Sequence, residues 1–294
     1  RLDIVIVNYK SSDYLAGCLA GIPRETEGLK ISVTVVDNNS EEDAALEELR
    51  NRHQWVRFIL NRENLGFSRA CNQGLANCAS DLCLLLNPDT VVSPGVLGRV
   101  AEFLLRHPEA GIAGCRILNP DGSEQRAGYR SIPTPASALL HFLGMDRCLW
   151  NPFRIKAYHP AIPAGNNPCE AEAVSGSFLM FKRKLTADIG LLDEDFFMYG
   201  EDLDFCYRAM RAGWKTYYLP EVSILHHKRV SSSRAAESAN LHFYQAMEIF
   251  FRKHYRRKSG WLLHLAVISG IRILTLGSRI KFVLPGGRRV GSRG

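Results

Sequence analysis

The chain has 294 residues, enough for a large core in one domain or two, and its 46% hydrophobic and 23% charged residues are ordinary for a globular protein. Its net charge of +7 is unevenly placed: from Arg252 onward there are eleven Lys or Arg and no acid, which leaves 26 basic against 30 acidic residues before that point. The basicity therefore belongs to a tail, and this argues against a nucleic-acid-binding body, which would carry its basic patch on the folded surface.

Eight cysteines (18, 71, 78, 83, 115, 148, 169 and 206) show no CxxC spacing, and several lie in apolar runs. A disulfide framework is not expected in so long a chain, and the reading is a reducing, cytosolic environment. The opening "RLDIVIVNYK" has no apolar stretch of the length a signal peptide needs, so none is expected.

Short aliphatic or β-branched runs at 3–7, 32–37, 56–60 and 81–87 alternate with helix-like stretches at 12–20, 41–52 and 67–79. Ser40, followed by Glu41, Glu42 and Asp43, reads as the helix start of 41–52, because acids favour the positive end of the helix dipole. Strand and helix at this spacing predict right-handed βαβ units and a parallel sheet buried on both faces. A helix at 95–106 and a strand at 111–117 continue the pattern. Ligands in such sheets bind at the carboxyl ends of the strands. The runs end in Asn8-Tyr9, Asp37-Asn38-Asn39, Asn61 to Asn64 and Asn87-Pro88-Asp89, so these polar residues are expected along one edge.

From Asn119 to Glu170 the regularity fails, with seven prolines between 120 and 168. A strand is predicted over 172–184. A helix follows in "EDLDFCYRAMRAG", where Leu203, Cys206, Tyr207 and Met210 recur at helical spacing, Glu201 and Asp202 occupy the first turn, and Gly213 ends it. "KTYYL" and "VSILHH" read as two strands, and a helix over about 237–256 leads into the basic tail. In the tail, "WLLHLAVISGIRILTLG" (261–277) is too short to span a bilayer and is interrupted by His264 and Arg272. Those two residues with Thr275 and Arg279 share one quadrant of a helical wheel and leave a broad apolar face. With "RKHYRRK" before it, this fits either an interfacial helix drawn to an anionic membrane surface or a helix packed on the body or a subunit partner.

Taken in order, "VVDNNS", "NLGFSRACN", "LNPDT", "GSFLMFKR", "FFMYGEDLDFCYR" and "LHH" resemble the family 2 glycosyltransferases of the GT-A fold, in the rhamnosyltransferase-like branch that builds bacterial surface polysaccharide. The resemblance covers about 2–230. It implies an α/β fold with a Rossmann-like, mostly parallel central sheet flanked by helices, to which a basic, apolar helical extension is added. It divides the chain into a nucleotide-sugar-binding half (1–118), an acceptor-binding and catalytic half of the same domain (119–235) and the extension (236–294).

The resemblance also implies roles. Asp89 matches the metal-binding carboxylate that ends the family's DxD motif, here Asn-x-Asp with Asn87 in place of the first acid. A hard divalent cation, Mn2+ or Mg2+, on that carboxylate would neutralise the charge developing on a sugar–diphosphate leaving group. His226 stands where some members supply a further ligand, with His227 as the alternative, since adjacent strand residues face opposite ways. Asp37 matches the residue that accepts the N3–H of uracil or thymine. Read from the residues, Tyr9 either stacks on the base or simply packs, Gly66 suits a close backbone approach, and Asn64 and Asn72 either offer contacts near base and ribose or serve as turn and capping residues. Read from the residues themselves, Lys228, Arg229 and Arg234 either offer positive charge to the diphosphate or form a solvated basic loop.

Asp202 matches the base that takes the acceptor's proton in an inverting transfer, with Glu201, Asp204 and Asp193 as alternatives. The implied activity moves a sugar, L-rhamnose from dTDP-rhamnose or another sugar from a UDP donor, onto a polyprenyl-diphosphate-linked glycan. It places the protein in the cytoplasm, peripheral on the inner membrane, and leaves the oligomeric state open. A nucleotidyltransferase would show a Gly-rich, basic loop after the first strand, and "VNYKSSDYL" has none. A non-catalytic binding module would have no need of Asp89, Asp202 and His226 together.

Overall fold

The computed structural model describes residues 1–40, 43–135, 137, 160–162, 165–227, 236–257 and 260–283. The alternating first half forms β1 (Leu2–Asn8), α1 (Ser12–Ala20), β2 (Glu25–Thr26), β3 (Leu29–Asp37), α2 (Ala44–Arg52), β4 (Arg57–Leu60), α3 (Phe67–Leu75), β5 (Leu82–Leu86), β6 (Thr90–Val92), α4 (Val96–Arg106) and β7 (Ala110–Leu118). The second half adds β8 (Cys169–Ala171), β9 (Phe178–Lys182), α5 (Leu185–Ile189), α6 (Glu201–Arg211) and β10 (Lys215–His226), then α7 (Ala236–Tyr255) and α8 (Trp261–Val283).

The strands make one ten-stranded sheet in the order β2-β3-β1-β5-β9-β7-β10-β6, with β4 on β3 and β8 on β10. β4, β3, β1 and β5 run parallel, as the βαβ spacing requires. β9 enters antiparallel between β5 and β7, and β6 and β8 are antiparallel to β10, so the sheet is mixed beyond β5.

Both faces are covered, which explains why the strands read as continuous apolar runs. Ile4, Ile6, Leu84 and Leu86 pack with Leu15 and Leu19 of α1 and Val100 and Leu104 of α4. Their neighbours Val5, Val7, Cys83 and Leu85 face the other way, onto Ala70 and Cys71 of α3 and Phe205 and Cys206 of α6. Cysteines 18, 71, 78, 83, 115, 169 and 206 are free, and burial pushes the Cys18 and Cys206 thiols up to about 12, so they serve as small core hydrophobes.

Several boundaries differ from expectation. α2 is capped by Asp43, which accepts from the Ala45 and Leu46 amides, because Ser40 is engaged at the sheet edge instead. The predicted 172–184 strand shrinks to 178–182: Ser175–Ser177 turn away to meet α6 and the end of β5. "KTYYL" and "VSILHH" form a single strand, β10, whose register shifts between Leu219 and Ser223, the interval holding Pro220, as a bulge allows.

The extension is a helical pair. α7 lies on the body through Ala246 and Phe250, which join the core beside Tyr207. α8 then packs on α7 through Val267, Ile268 and Ile271 against Phe251, Tyr244 and Met247, while Arg272 pairs with Glu248 at 3.2 Å. His264, Arg272 and Thr275 thus sit along the margin of the packed face rather than opposite it. No described helix is long and apolar enough to cross a membrane.

Candidate active site

Parallel register sets Asn8 of β1 beside Asp37 of β3, and Asp37 beside Leu60 of β4. Three strand ends therefore deliver their polar residues to one place. Asn8 Nδ2 donates to Asp37 Oδ1 at 2.8 Å, Ser40 Oγ donates to the same oxygen, and the Ser40 amide donates to Oδ2 at 2.9 Å. A carboxylate has about four lone-pair sites, so one remains on Oδ2.

Next to it, Asn38 organises the following loop. Its Nδ2 donates to Asn64 Oδ1 (2.7 Å) and the Gly66 carbonyl (3.2 Å), and its Oδ1 accepts from Asn61 Nδ2 and the Leu65 amide, both at 3.1 Å. Gly66 sits at φ +84°, where a Cβ would lie 2.7 Å from the Phe197 ring and 2.8 Å from its carbonyl oxygen. Only glycine fits there, and the close approach lets the Phe67 amide donate to that carbonyl at 2.6 Å. Tyr9 is exposed at the end of β1, with the Lys10 ammonium 5.5 Å from its ring centroid. Asn72 works as a brace: its amide exchanges hydrogen bonds with the Leu192 backbone (2.9 and 3.1 Å) and donates to Glu194.

The second cluster lies where β5 ends. Asn87-Pro88-Asp89 turns the chain into β6, and β6 pairs with the end of β10 so that Thr90 faces His226. This brings His226 Nε2 to 3.2 Å from Asp89 Oδ1, with Asn87 Nδ2 at 3.4 Å from the same ring nitrogen. Asp89 and His226 are both nine-tenths or more buried.

Gln125 fixes the ring. Its Nε2 donates to the His226 carbonyl (3.0 Å) and to Asn119 Oδ1, which leaves Oε1 as the partner of Nδ1 at 3.1 Å. The network therefore puts a proton on Nδ1 and faces Nε2 toward Asp89. A carboxylate oxygen and an imidazole nitrogen facing each other across 3.2 Å are groups that could hold a cation. His227 alternates to the other side, its ring against Tyr14, while its amide donates to the Asp89 carbonyl at 2.9 Å.

The third cluster is the start of α6, after two residues of positive φ, Tyr199 (+67°) and Gly200 (+80°). Asp202 Oδ2 accepts from Arg130 Nη2 at 2.6 Å and from the Gly176 amide at 2.8 Å, and Oδ1 accepts from the Leu203 amide at 2.8 Å. One residue from Gly176, the Ser177 carbonyl accepts from the Asn87 amide at 3.1 Å. The 175–177 turn thus joins the base candidate to the Asn87–Asp89 turn.

The other acids are differently placed. Glu201 is buried, its Oε2 has no partner among the described residues, and burial, then the Asp202 charge, push its carboxyl up to about 8. Burial would also raise Asp204, but the hydrogen bond from His254 and the Arg208 charge carry it below its ordinary value. Asp193 is paired with Lys253 of α7. The basic residues 228–234 lie outside the described residues. Sequence reasoning missed Gln125 and Arg130, which lie in the irregular stretch after β7, where no periodicity marks a residue.

The family model described as "Glycosyltransferase like family 2" matches residues 1–246. The chain is 29% identical over 271 residues to the N-acetylglucosaminyl-diphospho-decaprenol L-rhamnosyltransferase of Mycobacterium tuberculosis, covering 88% of this chain and 86% of that one. It is 27% identical to a low-salt glycan biosynthesis hexosyltransferase of Haloferax volcanii, covering 97% of this chain and 88% of the relative. Among solved structures, a mannosyltransferase of Pyrobaculum calidifontis in complex with GDP-Man and Mn2+ superposes with a TM-score of 0.57 at 15% identity, covering 97% of this chain and 76% of that one, which places the fold among GT-A glycosyltransferases. With the strand-end carboxylates in this order and the family match running through them, the chain belongs to the family 2 glycosyltransferases and is a glycosyltransferase enzyme of rhamnosyltransferase-like type.

Proposed function

We propose that this enzyme is an inverting, divalent-metal-dependent transferase that moves L-rhamnose from dTDP-rhamnose onto a polyprenyl-diphosphate-linked glycan. The observation that carries this reading is the Asp89–His226 pair, 3.2 Å apart at the carboxyl edge of the sheet although far apart in sequence. Among the described residues no three His, Cys, Asp or Glu side chains gather as a metal site. A two-ligand site fits a cation that takes its remaining oxygens from substrate phosphate and water. Asp89 and His226 would hold Mn2+ or Mg2+ there, and the cation would supply charge stabilisation to the departing nucleoside diphosphate.

The remaining roles fall to the chain's own groups. The open lone pair on Asp37 Oδ2 is offered to the N3–H of thymine or uracil, Tyr9 to the base face, and the Asn64–Gly66 loop to the ribose side. Residues 1–118 thus serve the donor and 119–235 the acceptor. Asp202 takes the acceptor hydroxyl's proton as that oxygen bonds to the anomeric carbon from the face opposite the diphosphate. The donor sugar and acceptor are carried over from the mycobacterial relative, which is named for transferring L-rhamnose to N-acetylglucosaminyl-diphospho-decaprenol.

A thermal-shift panel tests the reading. With Mn2+ or Mg2+ present, dTDP-rhamnose at a hundredfold excess over its Kd is expected to stabilise the protein by about 2.7 kcal/mol, on the order of 5 °C or more in Tm. UDP-sugars should shift it less. A flat response to every donor, with and without metal, would sink the proposal.

The extension is proposed to seat the enzyme on the cytoplasmic face of the membrane. On α8 the sector opposite the packed face carries Trp261, Leu262, Leu265, Ile273 and Leu276, all 57–73% exposed. Such a strip on an acid-free segment flanked by basic runs suits an anionic lipid surface. Trp261→Glu with Leu265→Glu is expected to cut binding to anionic vesicles at least about tenfold, given roughly 1.5–3 kcal/mol for each large apolar side chain. Transfer to a water-soluble acceptor should be unchanged, and undiminished flotation with vesicles would refute this seat.

A further inference from the structure

Arg130 is held at three points. Its backbone exchanges two 3.0 Å hydrogen bonds with Ala173, and Nη2 donates to the Val174 carbonyl at 2.7 Å and to Asp202 Oδ2 at 2.6 Å. The Arg130 and Asp202 side chains are only 10% and 11% exposed. A buried ion pair adds little net stability over an apolar replacement, because desolvation offsets the attraction, so its usefulness is sought in what it orients.

The two oxygens of Asp202 are used unequally. Oδ2 is filled by Arg130 and the Gly176 amide, whereas among the described residues Oδ1 accepts only from the Leu203 amide. Oδ1 therefore keeps a lone pair for a substrate proton. The preceding residue, Glu201, is buried and feels the Asp202 charge, and its Oε2 has no partner among the described residues.

Two adjacent carboxyls in a dry site do not both ionise readily, and the fixed cation selects which one does. Among the described residues, the other groups around the pair leave that selection to Arg130. Asp204 is tied to His254 and Arg208, Cys206 is a neutral buried thiol, and Cys71 of α3 and Tyr199 stand on the Glu201 side.

We propose that Arg130 is the positioning residue of this enzyme: it aims Asp202 Oδ1 at the acceptor hydroxyl and places the single charge of the Glu201–Asp202 pair on Asp202. This rests on Asp202 being the base. In the step itself the acceptor oxygen bonds to the anomeric carbon and the diphosphate oxygen leaves with the old bond's electrons. The hydroxyl proton passes to Asp202 Oδ1.

The test compares Arg130→Met, Arg130→Lys and Asp202→Asn in the full chain, reading kcat, KM for donor and acceptor, and the pH profile. Arg130→Met is expected to lower kcat about 10–100-fold with donor KM within about threefold. It should also move the acidic limb of the kcat profile up by about 1–3 units, since removing a neighbouring cation makes a carboxylate harder to ionise. Arg130→Lys, which keeps the charge but not the fork, should recover part of both. If Arg130→Met does not fold, Arg130→Gln, which also removes the charge, is read for the same displacement. An unmoved limb in a folded variant that has lost the charge at Arg130, with Asp202→Asn inactive, overturns the positioning role alone. An active Asp202→Asn overturns the base assignment and this inference with it.

Discussion

Asp202→Asn is expected to lower kcat by about 10²–10⁴-fold while the variant still binds nucleotide sugar, the range that a positioned general base contributes. The amide keeps the shape of the side chain and can accept from the Leu203 or Gly176 amide, so the 175–177 turn, whose Ser177 carbonyl accepts from the Asn87 amide, should survive. What it cannot do is take a proton. Arg130 would lose its charged partner in a buried setting, so stability should fall as well. Donor binding by calorimetry separates a folded, inactive enzyme from a collapsed one. Turnover within a few-fold of the parent would move the base to another residue.

Asp89→Asn is expected to cost about 100-fold or more in turnover and to raise the Mn2+ concentration at half-maximal rate, because it removes the one acidic side chain of the proposed site. The backbone around Asp89 is held independently, by the His227 amide on its carbonyl and by the β6–β10 pairing. The substitution therefore tests the carboxylate and not the turn. A metal titration of the initial rate checks it, and an unchanged titration curve would remove Asp89 from any metal site.

Much of the fold could be read before the structure because its signals are local and periodic. The β1-to-β5 half follows from aliphatic runs spaced by helices, and the polar strand ends identify the edge to which Asp37 and Asp89 belong. β9 could not be oriented in that way: "GSFLMFKR" is as apolar as a parallel strand, and only its position between β5 and β7 makes it antiparallel. The His226/His227 choice depended on whether Pro220 and the adjoining bulge shift the phase of β10. Pairing with β6 decides which ring reaches Asp89. Arg130 and Gln125 were invisible for a further reason: each works through partners more than 70 residues away, Asp202 and His226, and no spacing rule connects them.

The grip of α7 on the body reaches further than anchorage. His254 donates to Asp204 at 2.7 Å, and Lys253 clasps Asp193 and Asp195 just ahead of α6. Because Asp204 lies on the turn of helix that carries Asp202, the C-terminal helices are tied directly to the segment that holds the proposed base. Docking and turnover would then share one rigid lever, and cutting the chain before α7 would slacken the chemistry along with the attachment.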